Sequence, residues 1–355
     1  MNGSYYDYDR VVIETPEERQ QKITKQRRLF SRVFLALFIY ILASQLVSTL
    51  TYIVAGAVLS AEKYQAFAAS SIWAVIISCA SQYLIAFPIF LLILTGTPKS
   101  QRKEKSKLSG AEFFLLFLIG EVLMYAGNFI GTLLNRTIGG MTGNIPENGI
   151  ATIVNAIPIW LIFILMVIIA PIVEELIFRK LVIDRLAIYG DRMAIIFSAV
   201  AFGLMHGNLY QFFYATLLGA LLGYVYTVTR DVKYTVCMHM IINLMGSVII
   251  LPVQDAMLEF YEAMNMLNIG QPVNILSLLV NGTVVFVYSN MQYGMIIGGV
   301  IALVHYIRKR KINISQDKDI YLPDKEISKH GFVNVGAILF LSVSLITMIL
   351  NLFTV

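Results

Sequence analysis

Two adjacent carboxylates, Glu174 and Glu175, follow an apolar run long enough to cross a bilayer, and the guanidinium of Arg179 stands four residues after the second. That spacing puts Glu175 and Arg179 on one helix face. The guanidinium can then hold a carboxylate ionised and oriented where water is scarce. Two further polar signals lie downstream: His206, within Phe202-Gly203-Leu204-Met205-His206-Gly207-Asn208, and the pair His239 and Asn243, again four apart. Each has a plainer explanation alone. An acidic pair can be the polar end of a span, Arg179 can snorkel, and a membrane histidine or asparagine more often bonds one helix to another. Together they are costly at membrane depth, and such groups mark functional sites.

A carboxylate with an imidazole can take a proton from water. A second imidazole with a carboxamide can donate hydrogen bonds to the oxyanion formed when that water attacks an acyl carbon. The set therefore suits peptide hydrolysis without a covalent intermediate. The alternative use is metal ligation, with Glu and two His holding Zn²⁺. The residues alone leave both open. No His-Glu-x-x-His or Gly-x-Ser-x-Gly motif is present, and neither Cys79 nor Cys237 neighbours a histidine.

The elements that must position these groups are membrane helices. Of 355 residues, 57% are hydrophobic and 14% charged, and the mean hydropathy is +0.72, the signature of a polytopic membrane protein. Hydrophobic runs near 33–59, 71–94, 112–134, 151–173, 193–207, 210–229, 234–252, 280–306 and 332–353 predict an all-α transmembrane bundle of about eight to nine spans. The formal charge of +5 comes from basic blocks between these runs, which report topology and not a nucleic-acid partner. Lys99, Arg102, Lys103, Lys105 and Lys107, then Arg179, Lys180, Arg185 and Arg192, then Arg230 and Lys233, then Arg308 to Lys311 fall in alternate loops. This predicts a multi-pass protein of the cell membrane with a cytoplasmic N-terminus. The organisation expected is a cytoplasmic tail over 1–32, N-terminal spans over 33–149, a core over 150–252, and an outer loop with C-terminal spans over 253–355.

Spacing offers a geometric test. Gly190 lies sixteen residues after Glu174 and sixteen before His206, within the turn-like Tyr189-Gly190-Asp191-Arg192. In a helical hairpin both side chains then stand about 24 Å from the turn, at ~1.5 Å per residue. The turn should project toward water. For His239 to join them, the Gly207-Asn208 junction must lie within the protein, and a cavity opening to the cytoplasmic side is expected.

Glu174-Glu175-x-x-x-Arg179, Phe202-x-x-x-His206 and His239-x-x-x-Asn243, in this order on successive membrane segments, resemble the three motifs of the CPBP family. These are the CAAX protease and bacteriocin-processing enzymes, also called Abi or type II CAAX endopeptidases. The resemblance covers about residues 150–250. It implies an all-helical intramembrane endopeptidase in which Glu174 with His206 activates water and His239 with Asn243 forms the oxyanion hole. Glu175 and Arg179 would orient the site. Family members have been described as both metallo- and glutamate-type proteases. The expectation for this chain is no obligatory metal, with Zn²⁺ as the alternative, because no further carboxylate or histidine accompanies the motifs. The implied partners are the lipid bilayer and a peptide or membrane-associated protein substrate, prenylated, bacteriocin-like or pheromone-like. Two other readings use the same residues: a non-catalytic immunity or scaffold protein, and a proton-coupled transporter.

Overall fold

The computed structural model describes residues 14–101, 106–143, 149–309, 314 and 318–353, and among these every regular element is a helix. Eight helices are long and apolar enough to cross a membrane: α1 (Pro16–Val58), α2 (Ser71–Leu94), α3 (Gly110–Thr142), α4 (Ile159–Tyr189), and, after the shorter α5 (Asp191–Met205), α6 (Leu209–Thr229), α7 (Val232–Asn268) and α8 (Ile275–Arg308) come seven of them. The nine-residue α9 (Asp324–Phe332) precedes the eighth, α10 (Val335–Phe353). The chain is an all-α polytopic bundle. The fifth apolar run became α5, whose 15 residues rise only ~22 Å, short of the roughly 30 Å hydrocarbon thickness.

Two boundaries differ from those read in the sequence. Thr15 and Glu18 form a reciprocal capping box, so α1 starts well inside the polar segment and carries its basic cluster on the same helix as the span. Residues expected as an outer loop after 253 stay helical to Asn268. The first thirteen residues, with Arg102, Lys103, Lys105, Arg310 and Lys311, lie outside the described residues.

Aromatic packing joins the two ends of the chain around α5. Phe30 of α1 meets Phe197 edge-on at 5.0 Å, Phe197 meets Phe332 of α9 at 4.2 Å, and Phe34 meets Phe340 of α10 at 5.8 Å. Helix α5 also lies tightly against α6. A side chain at Gly203 would overlap Thr216 and the Phe212 carbonyl, the close backbone approach that small residues permit between membrane helices.

The α4–α5 hairpin turns where the spacing placed it, at Gly190, whose φ of 117° is open to glycine at low cost. Its tip does not project into water. Leu186, Ala187, Ile188 and Tyr189 are buried, and Ile320 donates its backbone N–H to the Ile188 carbonyl at 3.0 Å. The tip is apolar, so the segment leading into α9 covers it.

Candidate active site

The second glutamate of the pair is wholly enclosed. Glu175 Oε2 lies 2.9 Å from Arg179 Nε, and both side chains are 0% exposed. Nη1 and Nη2 of Arg179 make no hydrogen bond among the described residues, and the guanidinium carbon sits 4.8 Å from the Phe202 ring centroid. The pair is thus a charge contact backed by an aromatic face. Glu175 Oε1 accepts from His239 Nδ1 at 3.0 Å. That bond leaves Nε2 of His239 pointing onward, 3.8 Å from Glu174 Oε2.

Glu174 is the exposed member, with 27% of its side chain accessible. His206 closes α5 and shares its cavity. Its Nδ1 lies 2.8 Å from the Phe202 carbonyl, which makes Nδ1 the donor and leaves Nε2 as a lone-pair acceptor. Phe202 stands edge-on to both imidazoles, 5.0 Å from His206 and 5.9 Å from His239. Asn243 donates one N–H to the Met166 carbonyl at 2.8 Å, and its second N–H stays free to act.

That carbonyl is accessible for a local reason. Phe163–Ile169, Leu176–Ile183 and Leu244–Ile249 are π-wound. The wider winding shifts carbonyls out of the α-helical ladder, as often happens at functional sites. Two such stretches bracket Glu174 and Glu175, and the third begins directly after Asn243.

A cavity of about 660 Å³ is lined by Glu174, Phe202, His206, His239 and Asn243. The structure therefore brings four of the six residues singled out to the cavity, with Glu175 and Arg179 directly behind them. The cavity extends to Ser71, at the end of α2 away from Arg185, and to Ile153 and Ile250. The sequence predicts an opening toward the basic loops, and no lysine or arginine of those loops lines the cavity. Nearer those loops Tyr226 donates to Asp184 at 2.7 Å, Asp184 also pairs with Lys180, and Arg230 pairs with Asp191.

The sequence placed the Gly207-Asn208 junction inside the protein but did not show what holds it there, and it missed Asn351 and Glu121. Asn208 caps α6 by accepting from Gln211 N and returns a hydrogen bond to the His206 carbonyl, both at 2.9 Å. From α10, far along the chain, Asn351 donates to the buried Gly207 carbonyl at 2.8 Å. The His206-Gly207-Asn208 junction is thereby held inside the protein. Glu121 of α3 also faces the cavity, and its one visible signal is a carboxylate alone in an apolar run. Among the described residues, no three His, Cys, Asp or Glu side chains group as a metal-binding set, and the commitment of Glu175 to Arg179 and His239 accounts for one missing donor.

Residues 156–245 match the family model of the "Type II CAAX prenyl endopeptidase Rce1-like" proteins. That stretch is similar to the core of the CPBP family. A stretch of 180 residues, 49% of the chain, is 27% identical to 70% of the Bacillus subtilis (strain 168) protein named "Putative membrane peptidase YdiL". No solved structure matches the chain. The matched stretch begins just before α4 and ends just past Asn243, so all six site residues fall within it. Both matches support a membrane protease.

Proposed function

We propose that this chain is an intramembrane endopeptidase that hydrolyses a peptide bond with water activated by Glu174 and His206. The observation that carries the reading is the divergent fate of two neighbours: Glu175 is sealed against Arg179 and His239, while Glu174 reaches the cavity. A buried, paired carboxylate orients its surroundings; an exposed one beside an imidazole acceptor can accept a proton.

In the proposed reaction a water bound between Glu174 and His206 Nε2 attacks the scissile carbonyl and passes its proton to this pair. The oxyanion receives hydrogen bonds from the free N–H of Asn243 and from His239 Nε2, the latter with the ring as an imidazolium whose other N–H is held by Glu175. Glu175 holds His239 through Nδ1, fixing the orientation of the ring much as a buried carboxylate does in a hydrolytic triad. The proton then moves to the departing amine, so the water's atoms are shared between the new acid and the new amine.

The charge pattern orients the basic loops and the N-terminus toward the cytoplasm. A substrate segment then reaches Glu174 from the opposite half of the bilayer, along the cavity. Quantitative cleavage of membrane-reconstituted peptides by the purified chain, with and without a chelator, tests the reading. Glu174→Ala and His206→Ala should each abolish cleavage with unchanged membrane abundance, and wild-type cleavage should survive the chelator. Retained cleavage in either variant overturns the assigned roles, and proton-linked uptake lost in both would favour transport.

A further inference from the structure

One wall of the cavity carries polar groups that the hydrolytic chemistry does not use. Glu121 is 5% exposed, lines the cavity, and makes no hydrogen bond or ion pair among the described residues. Tyr125, one turn further along the same face of α3, and Tyr288 and Gln292 of the adjacent α8 line it too. Gln292 spends its Nε2 on Tyr288 Oη at 2.7 Å, and its Oε1 is buried with no partner. The groups left over are a carboxylate and a carboxamide oxygen, both acceptors. An enclosed cluster of unmet acceptors at membrane depth is unfavourable alone and complementary to a cation carrying several N–H donors.

The position of Glu121 ties this wall to the reacting centre. A Cβ on the preceding Gly120 would lie 3.7 Å from Ile242 Cδ1, and Ile242 is only ~4.5 Å along α7 from His239 at the helical rise. Glu121 therefore stands on the cavity wall near the level of Ile242, the neighbour of Asn243. An extended peptide advances about 3.3 Å per residue. A cationic side chain in contact with Glu121 thus belongs to a residue within about three positions of the scissile bond.

We propose that Glu121, with Gln292 and the tyrosine pair, forms a subsite for a basic residue of the substrate, selecting peptides that bring an ammonium or guanidinium group into the membrane-embedded cavity. This rests on the endopeptidase reading for its consequence, cleavage-site choice, but not for the binding itself. The charge neutralises on entry: the peptide delivers one cation to one carboxylate, and the guanidinium or ammonium donors meet the orphaned Gln292 oxygen.

The test uses the full chain in lipid nanodiscs and a mixture of peptides randomised around a central segment, with cut products sequenced by mass spectrometry. Lys or Arg should be enriched about tenfold or more at one fixed position, the scale expected for a desolvated charge pair. Glu121→Gln should remove the enrichment while neutral peptides are still cut, and Gln292→Leu should reduce it severalfold. No enrichment in the wild-type products, or enrichment unchanged in Glu121→Gln, overturns the subsite. Affinity decides the matter if nothing is cut: a leucine-rich peptide with one lysine is compared with its norleucine counterpart on wild-type and Glu121→Gln protein. A lysine preference lost in Glu121→Gln, without cleavage, supports the subsite and ends the endopeptidase reading. Equal affinities without cleavage overturn the subsite, and cleavage with no basic preference overturns the subsite alone. If Glu121→Gln fails to fold, the wild-type preference and its response to Gln292→Leu decide.

Discussion

His239 Nδ1 and Glu175 Oε1 lie 3.0 Å apart, which joins two motifs 64 residues apart into one rigid unit anchored by Arg179. The imidazole ring is therefore set by a carboxylate that never meets the cavity, and the neighbouring carboxylate is free for chemistry. Neutralising either glutamate should separate these tasks.

Glu174→Gln should lower peptide cleavage by about a hundredfold or more, the scale of a lost general base, and leave the thermal midpoint of the solubilised protein unchanged. Glu175→Gln should lower both, because it strands the buried Arg179 charge at roughly 3–5 kcal/mol. Cleavage rates and melting curves recorded on the same preparations check this, and equal melting of the two variants would contradict the division.

Arg179→Lys should not rescue the site as a conservative change ordinarily would. A lysine keeps the charge and loses the planar group that lies against Phe202. Melting should fall below wild type, and cleavage should drop with it. A variant with wild-type cleavage would show that the aromatic face is dispensable.

Asn351→Leu removes the hydrogen bond that α10 gives to the Gly207 carbonyl. Its expected cost is about 1 kcal/mol, expressed at the junction that carries His206. Cleavage should slow severalfold through kcat with little change in KM, since no cavity-lining group is altered. A change confined to KM would place Asn351 in substrate binding instead.

Gly203→Val drives a branched side chain into Thr216 and the Phe212 carbonyl. Separation of α5 from α6 should destabilise the fold by more than the 1–3 kcal/mol typical of overpacking, because the obstruction includes backbone. Loss of folded protein from detergent extracts, beside normal levels for Glu174→Gln, checks it.

Much of this was legible in the residues themselves. Apolar runs and their lengths determined the membrane-helical class, because a bilayer leaves a spanning chain few ways to satisfy its backbone. Equal spacing of Glu174 and His206 about Gly190 located the hairpin turn, because helical rise is constant. Four-residue intervals placed Arg179 beside Glu175 and Asn243 on the face of His239, because that periodicity is a local property of the helix.

The tertiary structure decided what those rules cannot reach. Adjacent glutamates differ by about a quarter turn, and which one faces a cavity depends on what packs behind the helix; here Arg179 and His239 claimed Glu175. Which residues line the cavity follows from how the helices pack. Tyr226 bonded to Asp184 and Arg230 paired with Asp191 are likewise contacts between segments far apart in sequence. Asn351 and Glu121 acquired their places in the same way, since a lone polar residue in an apolar run gains meaning only from the helices it meets.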